Sequence, residues 1–205
     1  RDARAKLSEE FTETEVPDRL RMHEFQGDEL RFSDAVPDAL VCRAVGHLLD
    51  IATGTGRMLK IVGPLADSGV GVDLSKKMVM VARNALAEAD LPHLTVRQED
   101  MYQMRFPARH FDTVTIDQVL YFASNPDALI KEATRVLKPS GRLLLVAFTE
   151  AANAKTPPAV SIALPDIRSW LEDARLKIVT TNVLAGDVLD TVSYTHLRAH
   201  ETLLY

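Results

Sequence analysis

The chain has 205 residues, 46% hydrophobic and 26% charged, and a formal net charge of −5 from 24 basic and 29 acidic side chains. That length and balance suit one folded domain with a short appendage and exclude wholesale disorder. The acidic balance argues against non-specific nucleic-acid binding, and the single cysteine, Cys42, excludes an internal disulfide framework or a multi-thiolate metal site.

Residues 1–46 are charged and punctuated by Pro17 and Pro37, with Ala3, Leu7 and Phe11 four apart, a pattern of two or three short helices. From His47 short apolar runs alternate with helical stretches. Strands are predicted at residues 48–52, 70–73, 94–98, 111–116, 142–148 and 177–184. Helices are predicted at 55–65, 75–89, 126–137 and 166–174. Ser75 is the expected N-cap of the second of these, and Met78, Met80 and Val81 its expected core face. Pro126 sits in the first turn of the third, and Lys138-Pro139-Ser140-Gly141 forms the turn after it. Trp170 packs with Ile167 and Leu171. His47 is read as structural, and His93 and His110 as solvated loop residues. The apolar run at 143–148 is far short of the roughly 20 residues that span a bilayer. No signal-peptide pattern opens the chain. The expectation is a soluble cytoplasmic protein, or a piece of one, with no membrane partner.

Strands alternating with helices predict crossover connections and a mainly parallel sheet. The fold class is α/β: a Rossmann-like, doubly wound sheet with helices on both faces. Such sheets bind ligands at the carboxyl ends of their strands, where strand order reverses. The residues that follow each strand are therefore the ones to inspect.

After the first strand comes Asp50-Ile51-Ala52-Thr53-Gly54-Thr55-Gly56-Arg57. Two glycines two apart let a ligand approach the backbone, or simply make a tight turn. The third glycine of a dinucleotide fingerprint is absent, since Leu59 stands there. Asp50 beside the bend would repel a pyrophosphate and suit a ligand bearing an ammonium group. Asp73, ending the second strand, can accept from two vicinal hydroxyls of a ribose, or act as a turn residue before Ser75. Asp100 and Met101 follow the third strand; a carboxylate beside an apolar side chain can grip an adenine.

The series Asp50-x-x-x-Gly54-x-Gly56, Gly71-Val72-Asp73-Leu74-Ser75, Glu99-Asp100-Met101, Phe111-Asp112-Thr113-Val114 and Leu137-Lys138-Pro139-Ser140-Gly141-Arg142-Leu143 resembles class I S-adenosylmethionine-dependent methyltransferases. It is similar to the small-molecule type that includes ubiquinone and menaquinone biosynthesis enzymes, over about residues 45–185. The resemblance implies a seven-stranded sheet with an antiparallel last strand, S-adenosylmethionine as cofactor and a small-molecule methyl acceptor. Asp50 and the backbone of Ala52, Thr53, Gly54 and Gly56 would then hold the methionine moiety. Asp73 would bind the ribose, Leu74 would lie beside the adenine, and Asp100 and Met101 would bind it. Asp117 and Gln118 would line the methionine end. The family often has glycine where Ala52 stands.

Further stretches resemble the methyltransferase half of bacterial proteins that carry an arsenic-repressor-type winged-helix domain. That keeps open a second reading, a non-catalytic cofactor-sensing domain of a transcriptional regulator. A nucleotide-dependent oxidoreductase is disfavoured by Asp50 and Leu59. On either leading reading this chain itself binds no nucleic acid. Candidate bases are Asp117, His23 and Tyr121, Asp117 having the alternative role of holding the cofactor's ammonium group. No metal site is expected. The expected organisation is a helical lid or linker at 1–40, the methyltransferase domain at 41–192 and a non-native tail at 193–205. Residues 193–202 resemble translated sequencing-adapter sequence, and that tail would have to finish the last strand.

Overall fold

The computed structural model describes residues 45–148, 162–184 and 192–199. The expected helices before residue 45, including His23 and Cys42, lie outside the described residues. The elements in chain order are β1 (His47–Ile51), α1 (Arg57–Val62), β2 (Ser68–Asp73), α2 (Lys76–Glu88), β3 (Leu94–Gln98) and β4 (Phe111–Asp117). There follow α3 (Pro126–Val136), β5 (Leu137–Phe148), α4 (Leu164–Asp173), β6 (Leu176–Leu184) and β7 (Val192–Ala199). Short 3₁₀ turns at Gly63–Leu65 and Leu120–Phe122 follow α1 and β4.

The sheet order is β3-β2-β1-β4-β5-β7-β6. Strands β1 to β5 pair in parallel, and β7 runs antiparallel to both β5 and β6. The chain winds outward from β1 to β3, then crosses back to β4 and β5, so the order reverses between β1 and β4. This is the doubly wound α/β architecture expected from the alternation of strands and helices. The segment resembling adapter sequence supplies most of β7, between β5 and β6. A backbone ladder needs only N–H and C=O groups, so a strand position tolerates many sequences.

Strand residues divide between two faces. Leu49, Ile51, Val70, Val72, Val114, Ile116, Leu143 and Leu145 join Leu129, Ile130 and Ala133 of α3 and Ile167 and Leu171 of α4 in one core. Trp170 packs against its edge. The opposite face carries Leu48, Asp50, Thr113 and Thr115, and α1 covers it with Leu59. Gly71 in β2 belongs to this face. A Cβ there would stand 2.6 Å from Leu59 Cδ1 and 2.8 Å from Thr53 Oγ1.

Ser75 caps α2, its Oγ accepting from Met78 N at 3.4 Å. Asn125 caps α3, its Oδ1 accepting from Ala128 N at 3.1 Å, with Pro126 first in the helix. The inward face of α2 differs from expectation. Val79, Ala82 and Leu86 are buried, while Met78, Met80 and Val81 are exposed. Ala82 faces Gly56, whose missing Cβ would lie 3.3 Å from Ala82 Cβ, and this close approach sets the rotation of the helix. Two histidines also differ. His93 Nε2 lies 3.0 Å from the Gly63 carbonyl, and His110 stacks edge-on to His47 and Phe111 at 4.8 Å from each. The expected turn at 138–141 belongs to β5 as a register shift: Leu137 faces Phe111 and Arg142 faces Thr113. No helix among the described residues is long and apolar enough to cross a membrane.

Gly71→Ala should destabilise the fold by about 1–3 kcal/mol, because Leu59 and Thr53 must both move to admit the methyl group. Urea unfolding of the variant against the parent measures this.

Candidate functional site

The site starts from one row of the sheet. Asp50 on β1 faces Gly71 on β2 and Thr115 on β4. Asp50 is only 1% exposed. Its carboxyl oxygens each accept a hydroxyl, Thr53 Oγ1 donating to Oδ2 at 2.6 Å and Thr115 Oγ1 to Oδ1 at 2.5 Å. Thr53 reaches down because Gly71 leaves room for it. Burial pushes the Asp50 carboxyl up to about 7, against the pull of the two hydroxyls.

Beyond Asp50 the chain turns sharply out of the sheet. Ala52 has φ 55°, Gly54 φ 54° and Gly56 φ 83°, all left-handed. Ala52 therefore carries backbone strain that glycine would not. Thr53 N donates to the Val72 carbonyl at 2.9 Å, and Gly56 N to the Thr53 carbonyl at 2.9 Å. Gly54 N donates to Asp73 Oδ2 at 2.9 Å. Ser75 N donates to Asp73 Oδ1 at 2.8 Å. Asp73 thus ties the bend to the tip of β2. Among the described residues, its chain neighbours aside, nothing stands within 4 Å of where a Gly54 Cβ would be.

At the next tip, Gln98 Nε2 donates to the Leu74 carbonyl at 2.9 Å, and the Leu74 side chain is 55% exposed. Asp100 Oδ1 accepts from Tyr102 N at 2.9 Å, shaping the loop in which Met101 packs partly against the core. Asn125 N donates to the Tyr102 hydroxyl at 3.2 Å, joining this loop to the start of α3.

Asp117 ends β4, beside the bend. The Arg57 guanidinium donates to its Oδ2 in an ion pair, and its Oδ1 is buried with no hydrogen-bond partner among the described residues. Burial raises the Asp117 carboxyl, and Arg57 opposes that rise. Gln118 follows with φ 53°, its amide donating to the Val146 carbonyl at 2.8 Å. Chain exits at both β1 and β4 thus use left-handed residues that are not glycine. The Tyr121 phenol is pushed up to about 12, first by burial and then by Asp117.

Of the residues singled out from the sequence, Asp50, Ala52, Thr53, Gly54, Gly56, Asp73, Asp117 and Gln118 come together around the β1–β4 reversal. Leu74, Asp100 and Met101 lie one and two strands away, at the tips of β2 and β3. His23 lies outside the described residues. Sequence reasoning missed Thr115 and Arg57. Thr115 left a signal, a hydroxyl inside an apolar strand. Arg57 left another, a cation in the first turn of a helix, where the dipole disfavours it and no acid accompanies it. Among the described residues no group of three His, Cys, Asp or Glu side chains is placed to hold a metal ion.

Residues 49–145 match the family model described as a methyltransferase domain. The ubiquinone/menaquinone biosynthesis C-methyltransferase UbiE of Pseudomonas putida is 36% identical over 116 residues, covering 54% of this chain and 45% of that protein. The chain thus spans about half the length of the curated relatives it matches. A SAM-dependent methyltransferase from Methanosarcina mazei superposes with TM-score 0.67 at 20% identity, over 81% of this chain and 97% of that one. The [4+2]-cyclase SpnF superposes with TM-score 0.71 at 21% identity, over 83% and 80%. These two likenesses establish the fold.

Two predictions test the construction of the bend. Ala52→Gly should raise stability by about 1 kcal/mol by removing left-handed strain, about 2–4 °C in the melting temperature for a chain this size. The buried Asp50 carboxyl keeps its proton up to about pH 7 in the folded state, whereas the unfolded chain releases it near pH 4. Its contribution to stability is therefore greatest below about pH 4, declines as pH rises to about 7, and then levels. Asp50→Asn removes that slope. Urea unfolding at about pH 4.5 and 7.5 should show the stability difference moving in the variant's favour by more than about 1 kcal/mol at the higher pH.

Proposed function

We propose that this chain transfers a methyl group from S-adenosylmethionine to a small-molecule acceptor in the cytoplasm. The observation that carries this reading is the two-ended polar cradle at the β1–β4 reversal. Asp73 and the Gly54 amide form one end, and the Asp117 carboxylate with its unfilled, buried Oδ1 forms the other. A nucleoside bearing an amino acid fits this donor set. Asp73 retains acceptor capacity beyond its two amide bonds, because an ionised carboxylate offers about four lone-pair sites, enough for two ribose hydroxyls. No described residue beyond its chain neighbours crowds the missing Cβ of Gly54, which supports a close approach of a ligand to the backbone. Leu74 and Met101 offer apolar surface for an adenine, and Asp100 an acceptor for its amine. Ala52, Thr53 and Gly56 shape the bend, with Gln118 at its β4 side. Asp50, dry and doubly bonded, acts on a ligand through Thr53 rather than by touching it.

When bound, this cofactor supplies a methyl group on a sulfonium, already a good electrophile. The chain's own task is to hold the two reactants in line and to keep water out. A base is needed only where the acceptor is a phenol or an acidic carbon. Asp117 serves better as the partner of an ammonium group. Tyr121 keeps its proton across the neutral range and so offers a donor rather than a base. His23 stays a candidate base from the N-terminal segment. The UbiE relatives are named for C-methylation in ubiquinone and menaquinone biosynthesis, which supports a small organic acceptor here.

Calorimetry with S-adenosylmethionine, S-adenosylhomocysteine and NADH should show binding of the first two alone. Asp73→Ala should weaken that binding by about 1–3 kcal/mol, the loss of hydrogen bonds to a charged group. Unchanged affinity would remove the ribose assignment. Production of S-adenosylhomocysteine from a pooled metabolite extract tests transfer itself; tight binding without turnover would favour the cofactor-sensing reading.

A further inference from the structure

The loop between β3 and β4 is tied to α3 at several points. Met104 N donates to Glu132 Oε1 at 2.8 Å, and the Arg135 guanidinium donates to the Met104 and Phe106 carbonyls at 3.0 and 2.9 Å. Nearer the strand tips, Asn125 N donates to the Tyr102 hydroxyl at 3.2 Å, and Ser124 Oγ lies 3.2 Å from the same oxygen. We propose that Tyr102 is a positioning residue, whose hydroxyl couples cofactor binding at the turn 100–103 to the order of the segment 120–125 that follows β4. The inference rests on the methyltransferase reading above and adds a residue to which that reading gives no role.

Three observations carry it. First, Asp100 and Tyr102 belong to one tight turn. Tyr102 N donates to Asp100 Oδ1 at 2.9 Å and Gln103 N to the Asp100 carbonyl at 3.1 Å, so a ligand that draws on Asp100 moves Tyr102 with it. Second, the returning limb of the loop does not absorb that movement. The Met104 and Phe106 side chains are buried, and their backbone groups are held by Glu132 and Arg135, which pair with each other at 2.7 Å one turn apart on α3. Third, segment 120–125 is short and lightly held. Leu120 anchors it in the core, whereas Phe122, Ser124 and Asn125 are exposed. Phe122 N and Ala123 N donate to the nearby Val119 and Leu120 carbonyls. Exposed backbone hydrogen bonds with little buried surface behind them mark the low end of local stability.

The Tyr102 ring packs against the core and its hydroxyl reaches the far end of this segment. The oxygen accepts from Asn125 N and has a proton to give to Ser124 Oγ. Asn125 in turn caps α3 through Ala128 N. A ligand held by Asp100 steadies the turn, and the turn steadies the tyrosine. The tyrosine then holds Ser124 and Asn125 where the chain passes from Tyr121 and Phe122 into α3. Without the hydroxyl, turn and segment each keep their own bonds and lose the link between them. Binding that orders a segment is weakened when the segment no longer answers to it, so the same link adds to affinity at the turn.

The test is amide hydrogen exchange, read with and without S-adenosylhomocysteine, on the parent chain, Tyr102→Phe and Ser124→Ala. In the parent the ligand should slow exchange about tenfold or more, both at 100–104 and at the amides of Phe122, Ala123, Asn125 and Ala128. Tyr102→Phe keeps the packed ring. It should keep the slowing at 100–104, reduce that at 122–128 to less than about threefold, and weaken S-adenosylhomocysteine about 2–10-fold in calorimetry, the worth of a neutral hydrogen bond. Ser124→Ala, at an exposed position, retains the Asn125 amide bond and should lose part of the slowing at 122–128. A parent in which 122–128 does not respond to the ligand overturns the inference. So does a full response in Tyr102→Phe, which marks direct contact with the ligand. So does exchange that rises equally in both stretches with the response intact, which marks a merely structural bond. Should Tyr102→Phe not fold, a full response in Ser124→Ala decides against the link. If the parent binds no S-adenosylhomocysteine, the methyltransferase reading fails and this inference with it. Binding with slowing at 100–104 alone overturns the role of Tyr102 and leaves that reading standing.

Discussion

A carboxyl group taken out of water must find partners inside the protein, and Asp50 finds two hydroxyls. Thr115 comes from the adjoining strand and Thr53 from the loop that follows Asp50 itself. The second of these bonds fixes the site. It pulls the loop back over the row Gly71–Asp50–Thr115 and forces the chain through left-handed Ala52. The Gly54 amide then meets Asp73, and the loop ends with Arg57 beside Asp117. Remove the space over Gly71 or the hydroxyl of Thr53, and the bend loses its floor.

Much of this was legible in the sequence for a physical reason. Strands buried on both faces, such as β1, β2 and β4, read as apolar runs, while β3, whose first residues alternate buried and exposed, was placed at its exact ends. Ser75 and Pro126 marked their helix starts because capping and first-turn chemistry depend on single residues. Legibility failed where position depends on a neighbour distant in sequence. The rotation of α2 follows the contact of Ala82 with Gly56, so its methionines face outward although helical spacing admitted them to the core. His93 and His110 sit in loops, yet Gly63 and the rings of His47 and Phe111 give them partners. The same limit applied at the site. Asp50 was recognisable as an acid at a strand tip, but its burial depends on Thr115, 65 residues away.

The three acids at the β1, β2 and β4 tips look alike in the sequence and differ in the fold. Asp73 accepts two backbone amides and anchors the loop. Asp50 is dry and raised towards neutrality, which lowers its charge and suits a structural role. Asp117 is buried but answered by a cation, so it keeps a charged partner and a spare oxygen. Burial, amide donors and a guanidinium thus turn one residue type into a hinge pin, a loop anchor and half of a charge pair.

That division also explains why the site tolerates strain. Ala52 and Gln118 leave neighbouring strands in the same left-handed conformation, and in each case an amide at the turn returns to a carbonyl of the adjoining strand. The cost at each residue is on the order of 1–2 kcal/mol, small against the packing of a sheet covered on both faces. Two abrupt exits side by side open a gap at the reversal of strand order, where helices lead away to opposite faces. Glycine at either exit would relax the backbone without closing the gap, because the gap is made by topology. The strain only sets how sharply Thr53 and Asp117 are presented to it.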